Sequence, residues 1–201
     1  FNLAREEGAP EPYYLIGHSM GGGIGLRTAL ERHDIRACAF TGPMWGIRIN
    51  PLVRPFAMAF ANVMTAIGLD QSFAPSTKPE NYLMANPFAD NTLTSDRPMW
   101  DFMLKQVQVI PGAALGGPST HWVHEALTEC NYLYGQASPA MRCLTVVGSN
   151  ERIVDVQRIT ERMERWPQGR LMVIEGGEHE VLFERPESRA RILAGLDATF
   201  T

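Results

Sequence analysis

Cysteine, net positive charge and long apolar runs are all scarce in this chain. Its three cysteines, Cys38, Cys130 and Cys143, lie far apart with no C-x-x-C pair. That argues against a disulfide framework or a zinc knuckle and for a reducing compartment. A net charge of -4 leaves no basic footprint for nucleic acid. The longest uncharged apolar run, between Arg54 and Asp70, is about fifteen residues and carries Asn62, short of the ~18–20 that a membrane span needs. No internal repeat or low-complexity segment interrupts the chain. An initiating methionine is also missing: "FNLAREEG" resembles the tail of an amphipathic helix closed by Gly8. The expectation is a chain that begins inside a fold, with any signal peptide or anchor in a preceding part. The expected location is cytoplasmic, with peripheral membrane contact left open.

What is present is ordinary globular material. There are 201 residues, 45% apolar and 20% charged, enough for about one domain. Short apolar strands at Tyr13–Ile16, Ala37–Thr41, Cys143–Gly148 and Arg170–Gly177 alternate with helical segments at Ile24–Glu31, Asp155–Trp166 and Pro186–Phe200. This rhythm predicts an α/β domain with a parallel sheet. Residues 44–125 break it. They hold most of the methionines, three tryptophans (Trp45, Trp100, Trp122) and a helical stripe of Leu52, Phe56, Phe60, Val63, Met64 and Ile67. "STKPENY" and "FADNTLTSD" are turn-rich connections, and Ser95 or Asp96 is placed to cap a helix running towards Gln108. The predicted organisation is a core at 1–43 and 126–201 with a helical cap inserted at 44–125. For any single apolar residue of the stripe, ordinary core is the commoner role.

The stretch "YYLIGHSMGGGIG", residues 13–25, carries the chemistry. Gly17-His18-Ser19-Met20-Gly21 fits G-x-S-x-G, a weak pattern alone, but a strand precedes it and a helix follows. A serine at the tip of so sharp a turn is strained, and side chains at Gly17 and Gly21 are expected to collide. The helix start directs free N–H groups at the site, making the Met20 N–H one oxyanion donor. A serine nucleophile needs a base, and the base needs an orienting acid. His179 in "GGEHE" follows the last strand, where the base is required. The other histidines fit less well: His33 follows a surface helix, His121 and His124 lack a third ligand, and His18 cannot turn back onto its neighbour. For the acid, Glu151 and Asp155 compete in "VVGSNERIVD". Glu151 lies in the loop after its strand, while Asp155 reads as a helix N-cap. Glu178 and Glu180 flank His179 too closely to orient it.

These residues resemble the α/β-hydrolase superfamily, and within it the lysophospholipase L2 and monoacylglycerol lipase group. "GHSMGG" is the shared elbow. "GSNERIVD" is similar to the group's acid loop, with Glu151 where an aspartate is usual. "GGEHEVLFE" resembles its histidine loop, and "NTLTSD" with "ALGGPSTHWVHEAL" its cap and cap-exit segments. The resemblance implies about four strands before the nucleophile strand and a second oxyanion N–H from an early loop. Nothing before Tyr13 could be those strands, so the chain is expected to be an incomplete catalyst with Tyr13–Ile16 near a sheet edge. The function expected is cleavage of carboxylic esters, small-molecule or monoacyl lipid, through an acyl-enzyme on Ser19, with no metal and no cofactor. Three alternatives stay open: a small-ester, thioester or amide hydrolase; a triad-bearing binding protein of negligible turnover; and an inert piece. Oligomeric state is not legible.

Overall fold

The computed structural model describes residues 2–49, 52–75 and 77–201. Phe1 of "FNLAREEG" and Ser76 of "STKPENY" lie outside them. A four-stranded parallel sheet forms the centre, in the order β1 (Tyr13–His18), β2 (Ile35–Thr41), β3 (Arg142–Gly148) and β4 (Gly169–Ile174). The helices are α1 (Asn2–Glu6), α2 (Met20–Glu31), α3 (Arg54–Ala66), α4 (Tyr82–Ala85), α5 (Arg97–Val109), α6 (Thr120–Gly135), α7 (Val156–Glu164) and α8 (Pro186–Phe200). β1 is the edge of this sheet, and Ile16 on it is 54% exposed.

The period of two along the strands sorts side chains into two cores. Cys38 and Phe40 of β2 and Cys143 and Val147 of β3 face one side, with Leu26 of α2, Leu133 of α6 and Ile159 of α7. Ala39, Leu144 and Val146 face the other, with Ile192 and Leu196 of α8. The inner strands are buried on both faces, which is why they read as unbroken apolar runs. Each fully buried Leu or Ile contributes about 1.5–3 kcal/mol. All three cysteines are buried, and the neighbouring Cys143 together with burial pushes the Cys38 thiol up.

The insertion departs from the sequence expectation in three places. Trp45 belongs to the core: it is buried, stacks on Trp166 at 6.2 Å, and donates its Nε1–H to Gly22 O at 3.0 Å. Composition grouped it with the cap because residues 44–125 hold three of the four tryptophans. The α3 stripe is largely exposed rather than core, with Leu52 80% and Phe56 73% exposed. Asp96 is the residue preceding α5 but makes no side-chain cap bond, while the Ser95 hydroxyl donates to Glu184 instead. No helix among the described residues is long and apolar enough to cross a membrane.

Candidate active site

Parallel strands carry their loops at their carboxyl ends, and there the candidate residues converge. Ser19 directly follows β1. Its φ of 49° is positive, shared among described non-glycine residues only with Asp90. Such a conformation costs about 1–3 kcal/mol and persists only where surroundings over-determine it. Here the Ser19 N–H donates to Thr41 O at 3.0 Å, while its carbonyl accepts from Gly22 N and Met44 N, both at 2.8 Å. A Cβ on Gly17 would stand 2.6 Å from Gly21 O, so glycine is required there. Gly21 is a correction: a Cβ on it would meet nothing within 4 Å. The crowding falls one residue later, where a Cβ on Gly22 would lie 2.6 Å from Pro43 Cβ. Met20 opens α2, so its N–H has no acceptor within the helix. The loop after β2 has little else to offer an oxyanion: the N–H groups of Gly42, Met44 and Trp45 go to Val146 O, Ser19 O and Pro43 O, and Pro43 has none.

His179 sits in the loop after β4. Its Nε2 is 2.9 Å from Ser19 Oγ and its Nδ1 2.7 Å from Glu151 Oε2. A carboxylate cannot donate, so Nδ1 carries the proton and Nε2 presents its lone pair to the serine. The side chains of His179 and Glu151 are 5% and 0% exposed, which strengthens this chain of hydrogen bonds. Burial would raise the Glu151 pKa, but His179 and the N–H groups of Ile153 and Val154 outweigh it and hold the carboxyl below its ordinary value. Those two amides donate to Oε1 at 2.7 and 3.2 Å, leaving Oε2 for the imidazole.

The remaining expected residues fall elsewhere. Asp155 caps α7, accepting from Arg158 N at 3.2 Å. His121 pairs with Asp70 at 2.8 Å, and His124 has Glu125 at 4.0 Å. Glu178 faces Arg152 at 3.5 Å, and Glu180 faces His18 Nε2 at 3.1 Å. Burial would lower the His18 pKa, but Glu180 and the Thr41 carbonyl outweigh it and the net direction is up.

Sequence reasoning missed the residues that seat the histidine loop. Gly42, at φ +47°, leaves room for the ring: a Cβ there would be 3.1 Å from His179 Nδ1. The N–H groups of His179 and Glu180 donate to Thr92 O and Leu93 O at 3.2 and 2.7 Å. Buried Glu184 accepts from Ser95 N at 3.1 Å and Glu178 N at 2.8 Å, joining the same two segments. Asn91 Oδ1 accepts from Leu93 N and Thr94 N at 2.8 and 2.9 Å, an Asx turn that the Asn and Thr of "NTLTSD" could have signalled. Two apolar hollows share Trp122, and the smaller of them adjoins the elbow. One of about 180 Å³ is lined by Met20, Ile24 and Met44, and one of about 510 Å³ by Ile47, Phe60 and Val123.

Comparison with known proteins places this geometry in context. A family model described as serine aminopeptidase, S33, matches residues 1–186. Lysophospholipase L2 of Escherichia coli is 31% identical over 206 residues, covering 92% of this chain and 57% of that protein. Probable lysophospholipase L2 of Haemophilus influenzae is 26% identical, covering 92% of this chain and 58% of its own length. The chain thus spans somewhat over half the length of these relatives. Among solved structures, a monoacylglycerol lipase of Paleococcus ferrophilus has a TM-score of 0.72 at 19% identity, covering 98% of this chain and 71% of that one. A monoglyceride lipase of Saccharomyces cerevisiae has a TM-score of 0.67 at 18% identity, covering 97% and 62%. At such identities the structural likeness is one of fold.

Proposed function

The chain belongs to the serine aminopeptidase, S33, family and has the α/β-hydrolase fold, and from that premise we propose that it is a serine hydrolase of carboxylic esters, with Ser19, His179 and Glu151 as its catalytic residues. The observation that carries the reading is the continuous chain from Glu151 Oε2 through His179 to Ser19 Oγ, at 2.7 and 2.9 Å, ending on a serine in a strained turn. Ser19 Oγ attacks the acyl carbonyl while His179 Nε2 takes the hydroxyl proton. Glu151 stabilises the imidazolium, and the Met20 N–H faces the developing oxyanion. The tetrahedral intermediate collapses to an acyl-serine as His179 returns its proton to the departing alcohol. Water, deprotonated by His179, then attacks the acyl-serine; collapse releases the acid and restores Ser19.

The substrate we infer is a monoacyl lipid ester. The apolar hollows beside Met20 and Trp122 suit a hydrocarbon chain, and the relatives that cover most of this chain are lysophospholipases. Peptides are a weaker fit. A free amino end needs an unpaired carboxylate, yet Glu151, Glu178 and Glu180 face His179, Arg152 and His18. We further propose that α3 to α5 form a cap over a core built from residues 1–43 and 126–201, with Met44–Ile47 joining the core.

Two measurements test this. A fluorophosphonate probe should label Ser19 once, with no labelling of Ser19→Ala; labelling that persists in the variant refutes the nucleophile. On p-nitrophenyl esters, kcat/KM should rise about 10- to 100-fold from acetate to medium acyl chains, since each buried methylene contributes up to ~0.8 kcal/mol. A flat or falling profile returns the reading to small esters.

A further inference from the structure

A second imidazole stands beside the one already described. His18 ends β1, and its ring centroid is 5.1 Å from that of His179. His18 Nδ1 lies 3.0 Å from both the carbonyl oxygen and the hydroxyl of Thr41. A nitrogen facing a carbonyl must donate to it, so Nδ1 carries a proton. Its Nε2 is buried without a well-formed hydrogen bond and faces Glu180 Oε2 at 3.1 Å. His179 repeats the pattern: Nδ1 is committed to a carboxylate, and Nε2 is turned the other way. One nitrogen of each ring and one Glu180 oxygen lie within 4.8 Å of one another.

This is the environment that metal-bound histidines have. Such rings donate their second N–H to a carbonyl or carboxylate, which fixes the tautomer and aims the free lone pair. Thr41 O does this for His18 and Glu151 does it for His179. A zinc-type ion takes imidazole nitrogens and carboxylate oxygens at ~2.0–2.2 Å in tetrahedral geometry, which sets ligand atoms ~3.4 Å apart. Drawing three atoms that lie within 4.8 Å of one another to that spacing asks for side-chain rotation, chiefly of Glu180, since His18 is held by the strand and His179 by Glu151. The carboxylates of Glu151 and Glu180 supply the balancing charge. Two imidazoles with one carboxylate select a borderline transition ion over calcium or magnesium.

We propose that His18, His179 and Glu180 form a site for a divalent transition metal of zinc type, and that filling it reversibly silences Ser19. The His179 Nε2 lone pair that would accept the serine proton is given to the metal instead. No bond in a substrate changes, and removing the ion restores the base. The inhibitory consequence rests on the role proposed for His179; the binding does not.

The protein, stripped with a chelator, is titrated with zinc sulfate by calorimetry and with cobalt(II) by visible absorption. One ion per chain and tetrahedral cobalt bands are expected. His18→Gln and Glu180→Gln should each weaken binding by at least about 100-fold, the upper end of what loss of even an orienting partner costs, whereas Ser19→Ala should retain it. Zinc should slow fluorophosphonate labelling of the unmodified protein, and chelation should reverse this. Should either glutamine variant fail a thermal-melt check for folding, the other carries the test. Absence of stoichiometric binding, or binding indifferent to both variants, overturns the site. If Ser19 is never labelled while zinc binding still depends on His18 and Glu180, the metal site stands and the hydrolase reading falls. If labelling proceeds and zinc neither binds nor slows it, the metal site falls alone.

Discussion

Replacing Glu151 by glutamine separates the chemistry of this site from its folding. Oε1 of Glu151 serves the amides of Ile153 and Val154 at 2.7 and 3.2 Å. In the variant these two donors hold the amide oxygen in that place, so the NH₂ must face His179 Nδ1. Two donors cannot meet, and the ring responds by moving its proton to Nε2. The 2.7 Å contact then survives as a neutral hydrogen bond. Exchanging a charge-assisted bond for a neutral one costs about 1 kcal/mol of stability, which lowers Tm by about 2–4 °C in a domain of this size. The cost to catalysis is far larger. With its proton on Nε2 the ring cannot accept one from Ser19, and the imidazolium has lost its counter-charge. We expect kcat for a p-nitrophenyl ester to fall by about 10⁴-fold, roughly 5.5 kcal/mol, as in other triads given the wrong tautomer. Steady-state rates and a thermal melt on the same preparation provide the check. A fall of less than tenfold in a folded variant would refute the reasoning, as would a loss of activity matched by an equal loss of stability.

The other expectations concern the supports. Asp155→Asn should change kcat by less than about twofold and stability by less than about 0.5 kcal/mol, because asparagine caps α7 as well as aspartate does; an activity loss near that of Glu151→Gln would exchange their roles. Glu184→Ala leaves the amides of Ser95 and Glu178 and the Ser95 hydroxyl without their buried acceptor, so denaturant melts should show a loss of about 3–5 kcal/mol. Gly148→Ala puts a Cβ 2.1 Å from Gly177 O and 2.4 Å from Glu178 O. The histidine loop must then move by about 1 Å, and kcat should fall about 100-fold, with wild-type rates in the variant contradicting that contact.

How much of this was legible depended on whether the cause was local. Strands buried on both faces announce themselves as apolar runs, so β2 and β3 could be read within a residue or two of their ends. Glu151 and Asp155 could be told apart because an N-cap is defined by the helix that follows it, and Asp155 directly precedes α7. The failures share a long-range cause. Gly21 was expected to be crowded by the elbow, yet the pressure falls on Gly22 from Pro43, twenty-one residues on. Trp45 was grouped with the insertion by composition, but its stacking on Trp166 and its bond to Gly22 O come from distant elements. The α3 stripe has helical spacing without telling which surface it meets; most of it is exposed. The His18–Glu180 pair is 162 positions apart in sequence and was invisible until β1 and the histidine loop were brought together.

The supports of the histidine loop make the segment between β2 and β3 a structural partner of the proposed chemistry. His179 and Glu180 hang by their amides from Thr92 O and Leu93 O. The segment offering those carbonyls is held by Asn91 within its own turn and by Thr94 Oγ1, which donates to Phe183 O at 2.7 Å. Glu184 closes the loop from below by taking donors from both sides. Residues 91–95 and 178–184 therefore form one hydrogen-bonded unit, although one lies in the insertion and the other follows the last strand. A unit of this kind holds the backbone of His179, while the Glu151 carboxylate holds its ring. Tolerances at such a site are tight, since a misplacement of ~1 Å costs about 100-fold in rate. The insertion is thus tied to the proposed catalytic base as well as to any substrate it covers, and displacement of residues 91–95 would move the base with it.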